Sequence, residues 1–455
     1  MERKNAWKNY DAAELTKLEA FGAEYSAFLN EGKTERECVK ECVKIAEAAG
    51  FEDVEALVSL KAGDKVYVNW MNKVFLMYVI GSEPMSEGMN ILGAHIDSPR
   101  IDVKQNPLYE DADLAYFDTH YYGGLKKYQW VALPLAIHGV IVKKDGETVN
   151  VTIGEDETDP VFCISDLLPH LAQEQMKKDA AKIIEGESLD LIVGGMPLEG
   201  EEKDAVKANV LKYLKDKYGV EEEDFLSAEL EIVPAGKARD MGFDRSMILA
   251  YGHDDRVCAY PSMRAVLDFE GVPARTICCV LTDKEEIGSV GATGMDSQYF
   301  ENITAEVIAR VEDYCDLKLR RCLKNSRMLS SDVSAGFDPL YASAFEKKNA
   351  AYLGRGICFN KFTGARGKSS SSDANAEYVA EVRRIMDDAK VAYQFAELGR
   401  VDLGGGGTIA FTCAKYGMNV IDAGVAVLSM HAPYEVISKA DLYEAYKAYG
   451  AFLKN

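Results

Sequence analysis

Met89-Asn-Ile-Leu-Gly-Ala-His95 is a short apolar run that ends on a polar cluster, His95-Ile-Asp97-Ser-Pro99. A run of this length and character reads as a buried strand. In an open α/β sheet, ligands collect beyond the carboxyl ends of the strands. A His and an Asp at such an end are therefore candidates for chemistry. A second run repeats the pattern. Thr276-Ile-Cys-Cys-Val-Leu-Thr282 is followed at once by Asp283-Lys-Glu285-Glu286-Ile-Gly-Ser289. Together the two stretches predict an α/β fold with its site at one edge of a sheet.

Upstream, Lys65 to Asn69 and Val74 to Ile80 read as further short strands. Residues 10 to 50 read as helices, because Leu15, Leu18, Phe21, Tyr25 and Phe28 recur at roughly helical spacing and Cys38 to Ala49 continues in kind. Downstream, the character changes after about residue 100. Trp130 to Val142 is β-rich, Thr148 to Ile153 alternates as a half-buried strand, and Lys143 to Glu147 is a hairpin turn between them. Leu167 to Met176 is expected to be helical, and Asp204 to Tyr218 to be an exposed helix. From Met247 the α/β style returns. Asn302 to Ala309 is helix or strand, Ala376 to Ala389 a helix, and Met418 to Ile421 a strand after Phe411 to Lys415. Ser438 to Leu453 is a closing amphipathic helix. The expected organisation is an α/β domain split at about 1–95 and 236–455, with a β-rich segment, 96–235, inserted.

A length of 455 residues suits two domains. The net charge of −22 would repel a phosphate backbone, so nucleic acid is not an expected partner. The ordinary reading of that acidity is solubility. With no run of 18 apolar residues, a membrane span is not expected. The start, Met1 to Trp7, has no apolar stretch that would serve as a signal peptide. The ten cysteines form no Cys-x-x-Cys pair, and no further ligand completes a zinc site around Cys38 and Cys42. They read as reduced, buried thiols of a cytosolic protein.

Five segments place acids and histidines beside apolar runs. They are His95-Ile-Asp97-Ser-Pro, His253-Asp254-Asp255-Arg256, Asp283 to Ser289, Ser331-Asp332-Val-Ser334 and Ser429-Met-His431-Ala-Pro433. Any one alone is most simply a cap or a loop residue, and a Glu-Glu pair is most simply solvated at a helix start. The order His, Asp, Glu-Glu, Asp, His is what carries information. Imidazole and carboxylate suit zinc, cobalt and manganese. One carboxylate can bridge two ions roughly 3.5–4 Å apart. In an extended segment Glu285 and Glu286 point in different directions, so that one binds metal while the other faces water as general base. Asp97 has two readings: an acceptor for the second N–H of an imidazole, or a turn aspartate before Ser-Pro.

These segments resemble those of the M18 (aspartyl-aminopeptidase-like) family of co-catalytic zinc aminopeptidases. Asp166-Leu-Leu-Pro-His170-Leu in the insert and Asp402-Leu-Gly-Gly-Gly-Gly-Thr408-Ile late in the chain extend the likeness. The resemblance implies a zinc-peptidase-like mixed sheet flanked by helices, with an inserted β-rich dimerisation domain. It implies two divalent ions, zinc by preference and cobalt or manganese as alternatives. Asp254 then matches the bridging ligand, His95 and Asp332 the other ligands of one ion, Glu286 and His431 those of the second, and Glu285 the general base. Asp255 matches the residue after the bridge, which in related enzymes often follows a cis peptide. His170 matches a histidine that reaches a neighbouring subunit's site. Lys361 approximately matches a lysine near the pocket for the first side chain, where a cation favours Asp or Glu; the alternative is an exposed loop lysine. Gly407 and Thr408 match substrate-contacting positions. The implied activity is release of N-terminal residues from peptides by a cytoplasmic enzyme that self-associates as dimers and as a tetrahedral dodecamer. A metal-dependent deacylase on the same scaffold and a non-catalytic assembly protein are the rival readings.

Overall fold

The computed structural model describes residues 4–455, so the first three residues of the Met1–Trp7 segment and of the first domain segment lie outside it. The chain divides into two compact units. The larger takes residues up to Asp97, Ala238–Met430 and Glu435–Asn455. The smaller takes Ser98–Lys237 and, separately, His431–Tyr434. That last short segment, which includes His431, was not anticipated as part of the insert.

Among the described residues the larger unit holds a nine-stranded mixed sheet. Its strands in chain order are β1 (Glu52–Asp53), β2 (Lys65–Trp70), β3 (Val74–Val79), β4 (Asn90–His95), β5 (Ile277–Thr282), β6 (Arg327–Ser330), β7 (Ile357–Asn360), β8 (Tyr393–Phe395) and β9 (Asn419–Gly424). Across the sheet the order is β1-β2-β3-β5-β4-β6-β9-β7-β8. The β5, β4, β6 and β9 strands run parallel to their neighbours in that group, with Thr282 opposite His95 and Ser330 opposite both Gly93 and Asp422. The carboxyl ends of β5, β4 and β6 therefore open on one edge.

Why these runs are strands is visible in the packing. Phe75, Met77 and Val79 of β3 join one apolar cluster, while Leu76 and Tyr78 join another. On β4, Leu92 and Ala94 go to the first cluster and Ile91 to the second. Successive side chains point to opposite faces, and both faces are covered, so the sequence shows a continuous apolar run rather than alternation. The first cluster also takes Leu18, Phe21, Tyr25 and Phe28 from helix α1 (Ala12–Glu31), and Cys38 and Cys42 from α2 (Glu35–Ala48). Asp11 caps α1 through the Glu14 N–H at 2.9 Å, and Thr34 with Glu37 closes a capping box on α2. The ambiguous Asn302 region is helical, within Tyr299–Val311. Helix α3 spans His253–Leu267, α4 Ala376–Asp388, α5 Ile409–Ala414 and α6 Lys439–Leu453.

The smaller unit is built on a six-stranded antiparallel sheet, in the order Thr148–Ile153, Leu135–Val142, Ala228–Pro234, Arg100–Asp111, Leu114–Tyr122, Leu191–Gly194. The hairpin turn forms as expected, with the Lys143 N–H donating to the Glu147 carbonyl. Helix Ala205–Tyr218 is present, with Val206 and Leu214 buried. The helix expected over Leu167 to Met176 is not. Turns replace it, and a short 3-10 segment covers Gln175–Lys177. Pro169 explains this: it disfavours helical geometry at Leu168 and has no N–H to give. Leu168 instead gathers the N–H groups of Leu171 and Ala172 at its own carbonyl, and the chain turns once. Among the described residues no helix is long and apolar enough to cross a membrane. All ten cysteines are free; Cys315 is exposed and Cys163 half-buried, while the others are buried as expected.

Candidate metal centre

His95 closes β4 and is buried. Its Nδ1 lies 3.0 Å from the Asp97 carbonyl oxygen and 3.4 Å from Asp97 Oδ1. A carbonyl only accepts, so Nδ1 carries a proton. Nε2 faces Asp254 Oδ1 at 3.2 Å and Glu285 Oε2 at 3.9 Å. Nε2 donates to Asp254 when the ring is an imidazolium, and turns its lone pair to a cation when one lies between it and these carboxylates.

The carboxylates crowd together from separate parts of the chain. Asp254 and Asp255 break the start of α3 with non-helical dihedrals, and the peptide bond between them is cis. The Asp254 N–H donates to Glu435 Oε2 at 2.9 Å, and the His95 N–H donates to Asp255 Oδ2 at 3.3 Å. Asp332 follows β6 by two residues. Glu285 and Glu286 were expected on an extended segment. They lie instead on a tight 3-10 turn, Glu285–Ile287, directly after β5 and Asp283. The reason is Asp97, whose two oxygens accept the N–H groups of Glu285 (3.1 Å) and Glu286 (3.2 Å) and fold the backbone round. Adjacent residues on such a turn still diverge by about a third of a revolution. Asp97 thus touches the imidazole mainly through its carbonyl and spends its carboxylate on the turn.

Among the described residues, three groups of donor atoms come within 4.8 Å of one another: His95, Asp254 and Glu286; His95, Glu285 and Asp332; Asp254, Asp255 and Asp332. Asp254 falls in one group with Glu286 and in another with Asp332. Burial first, then Glu285, Asp255 and Asp254, push the Asp332 carboxyl well above the usual range, against a smaller opposing pull from His95. Burial and Asp254 likewise raise Asp255. Burial would lower the His95 imidazole, but its bonds to Asp254 and Asp97 outweigh it and the group is raised. So many buried acids repel one another, and divalent cations are the groups that relieve this. The donor set fits such ions, being imidazole and carboxylate throughout.

His431 belongs to none of the three groups. It counts with the smaller unit, where its Nδ1–H donates to the Gly124 carbonyl at 2.6 Å. His170 is exposed on the turn after Pro169 in that unit. Lys361 is exposed and paired to Asp373 at 2.8 Å, and Lys368 shares the same carboxylate at 3.1 Å. Gly407 is exposed beside Thr408, whose Oγ1–H donates to Asp422 Oδ1 at 2.6 Å.

Three residues escaped the sequence reading. Glu435 holds the Asp254 backbone from 181 positions away; an acid opening the apolar run Glu435–Ser438 was the available signal. Arg256, fully buried, bonds the carbonyls of Lys33 and Ile96 and so ties α3 to the end of β4. Asp422 is buried on β9, with Oδ2 lacking a hydrogen-bond partner among the described residues. Burial lifts its carboxyl to about 7, against the lowering bonds from Thr408 and Ser330.

A parallel-centred sheet with a buried His-carboxylate cluster at its strand ends is the architecture of a site for divalent metal ions. The comparisons name the family. Residues 28–453 match the family model described as aminopeptidase I zinc metalloprotease (M18). A probable M18 family aminopeptidase 1 from Clostridium acetobutylicum is 59% identical, over 100% of this chain and 98% of that protein. The crystal structure of an M18 family aminopeptidase from Thermotoga maritima superposes with a TM-score of 0.96 at 45% identity, covering 100% and 99% of the two chains. That of aminopeptidase I from C. acetobutylicum gives 0.93 at 58%, covering 100% of both. The chain belongs to the M18 family and is a metal-dependent aminopeptidase.

Proposed function

We propose that this enzyme removes N-terminal residues from peptides at a dinuclear centre in which Asp254 would be shared by two ions, with His95 and Asp332 holding one and Glu286 and His431 holding the other. The observation that carries the reading is that Asp254 shares one donor group with Glu286 and another with Asp332. Two divalent ions, zinc by preference, would when bound polarise the scissile carbonyl and make water a nucleophile near neutral pH. Glu285 takes the proton of the attacking water and passes it to the leaving amine. Asp97 holds Glu285 and Glu286 on their turn, and Glu435 and Asp255 fix the backbones of Asp254 and His95. Gly407 and Thr408 bind the substrate. Lys361 selects acidic first residues once it exchanges Asp373 for the substrate carboxylate.

The smaller unit is proposed as the dimer contact, with His170 donating a hydrogen bond to the developing oxyanion in a neighbouring subunit. The exposed Leu167, Leu168 and Leu171 around it support a buried role for that loop in an assembly such as a tetrahedral dodecamer. The ten free cysteines of the chain suit the cytoplasm. The testing experiment is the variant Glu285→Gln. It is expected to bind two equivalents of zinc with both anomalous peaks beside Asp254, yet to lose about 10²–10⁴-fold in turnover. One zinc per chain, or near-normal turnover, would overturn the assignment.

A further inference from the structure

In the larger unit, the loop beyond Ala344, the turn Tyr352–Gly356, α4 and β8 surround a cavity of about 660 Å³. Lys347, Lys348, Arg355 and Arg383 line it, and among the described residues no carboxylate does. Among the described residues Lys347, Lys348 and Arg383 form no ion pair. The nearest acid in sequence, Glu346, is already engaged by the Lys348 N–H (3.1 Å) and Asn349 Nδ2 (2.6 Å). Four like charges around one hollow repel each other. In a chain of net charge −22, such a concave cationic field stands out, and a hollow lined by one sign focuses that field on an incoming counter-ion.

The wall is also held rigid. Gln394 Nε2 donates to the carbonyls of Tyr352 (2.8 Å) and Gly356 (3.4 Å), and its Oε1 accepts the Tyr352 N–H (2.9 Å). Asp441 accepts the N–H groups of Gly354 (2.7 Å) and Gly356 (2.6 Å), on either side of Arg355. The Arg355 guanidinium lies 4.4 Å from the centre of the Tyr352 ring. An arginine fork fixed in this way suits the oxygens of a phosphate, and lysines add point charge.

We propose that this cavity binds a compact multivalent anion carrying a pyrophosphoryl group. The test is calorimetry on the zinc-loaded enzyme at low salt, with inorganic pyrophosphate and with ADP. The metal centre is blocked throughout by an amino-acid hydroxamate, because phosphates also bind zinc. The comparison is the triple variant Lys347→Gln, Lys348→Gln, Arg383→Gln. Binding to the wild type that weakens with added salt, and that is about ten-fold weaker or more in the variant, supports the proposal. The variant's turnover and thermal midpoint should match the wild type, since these side chains are exposed. Equal affinity for both probes identifies free pyrophosphate as sufficient; tighter ADP identifies a nucleotide stacked at Tyr352. No heat with the blocked wild type, or equal binding by the variant, overturns it.

Discussion

At the scale of single residues, the molecule keeps charges where burial would normally expel them, and their protonation states have measurable consequences. Asp422 has its folded pKa raised to about 7 by burial. A raised acid binds more protons folded than unfolded, so its contribution to stability is complete below its unfolded value near 4 and is lost as pH climbs through about 7. Asp422→Asn cannot ionise. Its thermal midpoint should vary less between pH 4 and 7 than that of the wild type; an unchanged slope would place the titration elsewhere. Lys361 offers a second test. With Asp373 as its partner in the free enzyme, Lys361→Ala should leave Leu substrates nearly untouched and slow Asp and Glu substrates. Equal effects on all three would make it a loop lysine and nothing more.

At the scale of elements, the turn that carries Glu285 and Glu286 owes its shape to a residue from another strand. Asp97→Asn keeps one acceptor and sets an NH₂ group against a backbone N–H. The fold should survive, while zinc affinity or turnover falls about 10–100-fold, as for other residues that orient ligands. Unaltered zinc titration and turnover would show that the turn is held by Asp283 and its own bonds. The same turn shows what a sequence conveys and what it withholds. Residue types and order pointed to Glu285 and Glu286, but the turn depends on contacts 188 and 189 positions away, to which local pattern is blind. The strands β3, β4 and β5 were legible because burial on both faces leaves an unbroken apolar run. Helix α1 was legible from its one apolar face. Leu167 to Met176 was misread because its leucines have helical spacing, while Pro169 in their midst decides the backbone. Glu435 was missed since its partner, the Asp254 N–H, is defined only once the fold exists.

At the scale of the whole molecule, the proposal of a site shared between subunits makes a mixing prediction. His170→Ala and Glu285→Gln should each be nearly inactive alone. Refolded together, some dimers would hold one site with both wild-type residues, Glu285 from one protomer and His170 from its partner, and activity should return in part. Mixed dimers that stay silent, or a fully active His170→Ala enzyme, would end the trans role. Such an experiment reads assembly and chemistry at once, which neither size measurement nor single-variant kinetics does.

The order of strands in the nine-stranded sheet has a consequence for biosynthesis. Strand β4, which delivers His95, lies between β5 and β6, and both are encoded after the long segment Ser98–Lys237. On the ribosome, at about 5–20 residues per second, β4 waits roughly ten to forty seconds after Asp97 emerges before Ile277 does. During that interval an apolar strand has neither of its neighbours, while the segment behind it already has its own antiparallel partners in reach. The nascent chain is therefore expected to complete its later-starting unit first, and to depend on holding chaperones for the earlier one until the second half of the message has been read.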